Sequence, residues 1–237
     1  MRVWTRIFGY KGYRQFVVIC HPRTGSNMLS SYLNSHPNIK MHGEMFSKLN
    51  GRSIRDIYKV FRKNKPRQIK ASGFKLFYTH PEDGNQEEML RLIERMPQPV
   101  IIHLIRKDKL RMMASLKIAL STDVWGLKEG HAPIPADQKK VNIAPEEALK
   151  FLADIIHYEL RTEARFKGGH YLRLTYEDLA SHPDTCLSSI FKALKVSPQP
   201  AITNYVRTNP EPLHELISNY QELVDQGIVQ KFKAASS

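Results

Sequence analysis

Residues 16–20 read Phe-Val-Val-Ile-Cys, a continuously apolar run that stops at His21-Pro22. A run so short and so apolar reads as a β-strand buried on both faces. After a turn at Thr24-Gly25 the spacing changes: Met28, Leu29, Tyr32 and Leu33 fall at helical period, and Ser35-His36-Pro37 closes the segment. A buried strand leading through a tight turn into a helix needs its neighbouring strands to arrive by crossover, and this commits the chain to an α/β fold.

The alternation recurs downstream. Strands are expected at residues 39–41, 73–78, 100–105 and 171–175, and helices at 86–96, 108–120, 145–165 and 184–194. The helix at 145–165 opens with Glu146-Glu147, acids that complement a helix N-terminus. Together these predict a central parallel sheet with helices on both faces, and ligands then bind outside the carboxyl ends of its strands. Residues 121–141, with Gly126, Gly130, Pro133 and Pro135, read as a long loop of the kind that forms lids or substrate walls. One domain is expected across residues 1–237, with its core at about 16–224.

Charge narrows the partner. The 36 Lys and Arg residues against 23 Asp and Glu leave a net charge of +13, which fits a phosphorylated nucleotide, a nucleic acid or an acidic membrane. Cys20 and Cys186 sit in apolar settings and read as free thiols, which favours a reducing, cytoplasmic location. Arg2 and Arg6 precede no long apolar stretch, so neither a signal peptide nor a membrane span is expected.

The segment His21-Pro22-Arg23-Thr24-Gly25-Ser26-Asn27 lies where a strand gives way to a helix, and free backbone N–H groups there form an anion site. It lacks the first glycine and the lysine of the GxxxxGK[ST] phosphate loop, which weighs against a small-molecule kinase. A basic nucleic-acid-binding protein would explain the charge but not this loop. The run Arg52, Arg55, Lys59, Arg62, Lys63, Lys65, Arg67 and Lys70 is the densest positive stretch. It reads as a solvated face or as a surface for an anionic acceptor or partner. Trp125 is either a stacking platform or a plug over the core.

Pro22-Arg23-Thr24-Gly25-Ser26, with Leu29 in the apolar place, resembles the 5'-phosphosulfate loop of sulfotransferases that use 3'-phosphoadenosine-5'-phosphosulfate (PAPS). Asn27 departs from the Ser or Thr usual there. Arg106 at the end of strand 100–105 and Ser115 on the next helix resemble the pair that binds the 3'-phosphate in that family. Tyr176-Glu177-Asp178-Leu179 resembles its late [FY]-E-D-L motif, which makes Tyr176 an adenine neighbour and leaves Glu177 and Asp178 to anchor the following turn. The likeness runs from about residue 16 to 220. It points to the bacterial carbohydrate enzymes of the trehalose or nodulation-factor type, through His36-Pro37, His42-Gly43-Glu44 and Asn209-Pro210.

The resemblance implies a P-loop-like sulfotransferase fold, PAPS as co-substrate, no metal, and a hydroxyl acceptor on a sugar or glycolipid. It assigns Arg23, Thr24, Gly25, Ser26 and Asn27 to the phosphosulfate and Glu44 to the acceptor proton, with His42 as the alternative base. Lys75 either faces the sulfate or is displayed outward at a strand edge.

Overall fold

The computed structural model describes residues 10–236. Arg2 and Arg6 lie outside the described residues. Five parallel strands form the central sheet in the order β2-β3-β1-β4-β6: β1 (Arg14–Cys20), β2 (Ile39–His42), β3 (Ala71–Phe77), β4 (Val100–Ile105) and β6 (His170–Thr175). The chain travels from β1 out to β2, returns through β3, and then crosses to the other side of β1. That reversal makes the carboxyl end of β1 the topological switch point, where a ligand crevice opens in such sheets.

Strand alternation divides the core between two faces. Phe16, Val18 and Cys20 of β1 pack beneath α1 (Ser26–Ser35) and α7 (Pro183–Leu194), the latter contributing Leu187, Ile190 and Phe191. Val17 and Ile19 face the opposite layer, which holds α2 (Ile54–Phe61), α3 (Gln86–Glu94) and the end of α5 (Pro145–Phe166). There Phe74 lies 4.8 Å from Phe46 and 5.2 Å from Phe61, ring centre to ring centre. Truncating so enclosed an aromatic costs about 3–5 kcal/mol.

A further apolar cluster joins α4 (Lys109–Thr122) and α5 to the C-terminal helices α8 (Leu213–Leu216), α9 (Tyr220–Asp225) and α10 (Ile228–Ala234). Buried side chains therefore run from Tyr13 to Phe232, wider than the expected 16–224. A short α6 (Tyr176–Ser181) follows β6 directly. No helix among the described residues is long and apolar enough to cross a membrane.

One sequence expectation needs correction, and the basic run gains a structural account. The loop at 121–141 contains structure: β5 (Leu127–Lys128) pairs antiparallel with β7 (Tyr205–Val206), and Ala136–Lys139 forms a 3-10 turn. The basic run contains α2, where Ile54, Ile57 and Phe61 are buried beneath the charges and the Ser53 hydroxyl accepts the Asp56 N–H at 3.1 Å.

Candidate active site

The loop after β1 is shaped by two left-handed residues, Arg23 (φ 69°) and Gly25 (φ 81°). Gly25 meets a second constraint, because a β-carbon there would fall 2.6 Å from the Tyr176 ring. Thr24 is buried, and its hydroxyl donates to the His21 carbonyl at 2.8 Å, so this side chain staples the loop from within. Helix α1 has no side-chain cap and no acid in its first turn, which leaves its leading N–H groups and dipole open to an anion.

Beside this helix end lies a cleft enclosing about 650 Å³, counting the open space at its mouth. Arg23, Arg106, Arg111 and Arg207 line it and no carboxylate does. Arg106 is buried; one guanidinium nitrogen donates to the Arg23 carbonyl at 2.9 Å, its Cζ lies 4.4 Å from the Tyr176 ring centre, and its Nε has no partner among the described residues. Arg23 donates through Nε to the Ser115 hydroxyl at 2.9 Å and through Nη1 to the Trp125 carbonyl. Burial, with the Arg106 charge adding to it, pushes the Arg23 guanidinium down to about 10. Two desolvated cations whose hydrogen-bond acceptors are all neutral, with the Asp108 and Glu177 carboxylates near but outside the lining, make a site open to an anion. An orphaned guanidinium donor, paired arginines and free helix N–H groups fit a ligand carrying separated phosphate-type anions.

The expected residues Arg23, Gly25, Ser26, Asn27, Arg106, Ser115 and Tyr176 all line this cleft. The Arg23 side chain sits with Ser115 and Arg106 instead of folding back over the loop. Glu177 works as an anchor, its carboxylate accepting the N–H groups of Lys107 and Asp108 at 3.0 and 3.1 Å. Trp125 is partly exposed at the mouth, and its backbone carbonyl, not its ring, holds Arg23 and Asn27.

Sequence reasoning missed Arg111, Arg207, Tyr205 and the role of Asn209. The Asn209 amide donates to the Ser115 hydroxyl at 3.1 Å, while its buried oxygen has no partner. The Asn209-Pro210 pair was a visible signal, but nothing local ties it to a helix nearly a hundred residues earlier.

A second group lies at the carboxyl ends of β2 and β3. Phe74 and Leu76 face α2 and α3, so Lys75 between them points to the α1 side. It is buried on an interior strand, which removes the outward-display reading. Its ammonium donates to Asn27 Oδ1 at 2.7 Å and lies 2.8 Å from Glu44 Oε1. Glu44 is 36% exposed at its side chain, open enough to meet a second substrate. His42 is not brought to this group. Met41 faces the α1 side, and the strand turns His42 to the other face, where its ring meets Phe61 edge-on at 5.7 Å. Burial, assisted by Lys65 and Lys40, pushes the His42 imidazole down to about 4.

Comparison with known proteins agrees with the architecture. A model described as the sulfotransferase family matches residues 15–200. The chain is similar to nodulation protein H of Rhizobium tropici, 25% identical over 195 residues that cover 76% of this chain and 74% of that one. It is also similar to nodulation protein H of Rhizobium meliloti (strain 1021), 22% identical over 228 residues covering 88% and 89%. Among solved structures, a sulfotransferase from Alicyclobacillus acidocaldarius shares the fold at a TM-score of 0.54 and 14% identity, over 93% of this chain and 94% of that one. The family match spans β1, the cleft loop, β4 and β6 together, and through it the chain belongs to the sulfotransferase family, as a PAPS-dependent enzyme that moves a sulfuryl group to an acceptor.

Proposed function

We propose that the acceptor is a hydroxyl of a carbohydrate or glycolipid, that Glu44 takes its proton, and that the arginine cleft holds the nucleotide, which leaves as adenosine 3',5'-bisphosphate. The observation that carries the catalytic part is the Lys75 ammonium, which touches both Asn27 of the donor loop and the Glu44 carboxylate. One cation thus joins the loop proposed to bind the donor's anion to the half-open Glu44 carboxylate.

Bound PAPS supplies an activated sulfuryl group whose leaving oxygen gains negative charge as transfer proceeds. The chain's part is to fix positions and stabilise charge. The N–H groups leading α1 and the Ser26 side chain are the donors for the 5' end. Arg106, Arg23 and Ser115 form the donor set for the 3'-phosphate, with the Tyr176 ring beside them. Lys75 has three N–H bonds and spends two on Asn27 and Glu44, so a third is free for a sulfuryl oxygen. Glu44 stands where an incoming hydroxyl can give up its proton. Asn27 acts through Lys75: its oxygen holds the ammonium, and its nitrogen reaches the Trp125 carbonyl at 3.4 Å.

The sugar-type acceptor rests on the resemblance to bacterial carbohydrate enzymes and on the similarity to the two nodulation proteins. The test of the mechanism is Glu44→Gln, which keeps the shape and loses the base. We expect kcat to fall by about 10² to 10⁴ while affinity for adenosine 3',5'-bisphosphate stays the same. Normal turnover in this variant removes Glu44 from the chemistry. Sulfate transfer to a panel of glycans, glycolipids, phenols and amines tests the acceptor class.

A further inference from the structure

Nine of the 36 Lys and Arg residues, and one of the 23 acids, lie between positions 48 and 70. Those 23 residues therefore hold +8 of the net +13, apart from any charge in the cleft. Arg52, Arg55, Lys59, Lys63, Arg67 and Lys70 are all exposed, and the single acid, Asp56, is already paired with Lys59 at 2.9 Å. Helix α2 explains the arrangement. Ile54, Ile57 and Phe61 occupy its inner side, and the 100° helical step places Arg55 and Lys59 on its outer side, with Arg62 and Lys63 following directly at its C-terminal end.

The face has a direction. It begins at the carboxyl ends of the strands, where Asp83 accepts the N–H groups of Leu49 and Asn50 at 2.6 and 2.9 Å, in the loop that follows Glu44. It ends at the amino end of β1, where the Tyr13 hydroxyl donates to the Phe61 carbonyl at 3.2 Å and Lys65 pairs with Tyr10. The cations thus run over the layer that covers this face of the sheet, from the carboxyl ends of the strands toward their amino ends, and one end of the row follows Glu44 in the chain.

We propose that this face docks the enzyme on a bilayer surface rich in anionic lipid, which holds the mouth beside Glu44 against the membrane. The docking stands by itself; its use, to meet a lipid-borne sugar acceptor, rests on the proposed function. Clusters of four to eight cations suit anionic lipid, at about 1 kcal/mol for each one near the surface. These six cations are exposed to solvent and none of them lines the arginine cleft. No aromatic side chain between residues 48 and 70 is exposed for a nucleic-acid base to stack on, whereas Val60, amid the charges, is 51% exposed. Such a face fits a broad charged sheet of headgroups better than a strand lying in a groove.

The experiment is co-sedimentation of the full chain with phosphatidylcholine vesicles, with and without phosphatidylglycerol, beside the variant Arg55→Gln/Lys59→Gln/Lys63→Gln. Arg55 and Lys59 are on the solvent side of α2 and Lys63 is exposed just past its end, and unchanged adenosine 3',5'-bisphosphate affinity verifies that the variant is folded. We expect binding only to the mixed vesicles, its loss at high salt, and a drop of about a hundredfold in partitioning for the variant. Equal binding to neutral vesicles overturns the proposal, as does undiminished partitioning of the variant. Binding of a single-stranded oligonucleotide without any binding to mixed vesicles also overturns it, in favour of a nucleic-acid partner. None of these readouts needs turnover, so the docking and the catalytic assignments fail or hold separately.

Discussion

Two groups of arginines in this protein meet opposite surroundings. Arg165, on α5, donates to both Glu87 and Glu94 of α3, four contacts of 2.6 to 3.0 Å, and these carboxylates raise its already high proton affinity. Arg23 and Arg106, in the cleft, have neutral partners only, and burial pushes both guanidinium groups down. The first group is complete and joins two helices. The second is held in place without a carboxylate in hydrogen-bond contact, an arrangement that makes sense when the directly bound anion is a ligand. Residue type does not separate the two; the company each arginine keeps does.

The sharpest way to break this contrast is Arg106→Ala. A hydrogen bond to a charged group is worth about 1.5–3 kcal/mol, so affinity for PAPS should fall by about tenfold to a hundredfold in calorimetry. Adenosine 5'-phosphosulfate has no 3'-phosphate, and its binding should change much less. Equal losses for the two nucleotides would remove Arg106 from the 3'-phosphate, and the cleft would then be no more ligand-directed than the Arg165 brace.

A smaller effect is expected at Ser115, whose hydroxyl accepts from Arg23 and Asn209. Ser115→Ala removes a neutral group worth about 0.5–1.5 kcal/mol, so PAPS affinity should fall by a few-fold, again with a lesser change for adenosine 5'-phosphosulfate. A loss as large as that of Arg106→Ala would mean that Ser115 fixes the arginine pair, and that positioning rather than charge dominates the cleft.

Much of this contrast was legible in the sequence on one side and invisible on the other. The loop at 21–27 could be read because its strand, turn and helix are contiguous, and Arg106 because it closes a run of buried strand residues. The direction of Lys75 was readable in principle, since Phe74 and Leu76 must share the face opposite to it. What the sequence lacks is strand order: only the placement of β3 between β2 and β1 buries that lysine. The same alternation separates His42 from Met41, although the family resemblance offered His42 as the alternative base. Helix α2 was hidden by its charges, yet Ser53, Ile54, Ile57 and Phe61 carried a cap and an apolar stripe. Asn209, Arg207 and the Glu87–Arg165 brace depend on segments distant in the chain, and no local pattern announces them.

The smallest effect tests the other half of the contrast, that the Arg165 brace is structural and nothing more. Hydrogen bonds from Arg165, with those from Arg161, hold the Glu87 carboxyl down at about 2. A folded-state value below the unfolded one means that the unfolded chain takes up the proton first. The brace therefore contributes its full stability above the ordinary carboxylate range of about 4.3 and loses it as the pH falls toward 2. In urea unfolding, the native chain should exceed Glu87→Gln modestly at pH 6, because pairs near the surface are screened. The two curves should converge as the solution is acidified through that window. Comparing the two proteins at each pH cancels the carboxylates they share. Nucleotide affinity should be the same for both at neutral pH. A difference in stability that persists at the acid end would mean that the carboxylate charge is not what joins the helices. A weakened nucleotide site in Glu87→Gln would mean that brace and cleft are one coupled unit, and the division between the two sets of arginines would fail.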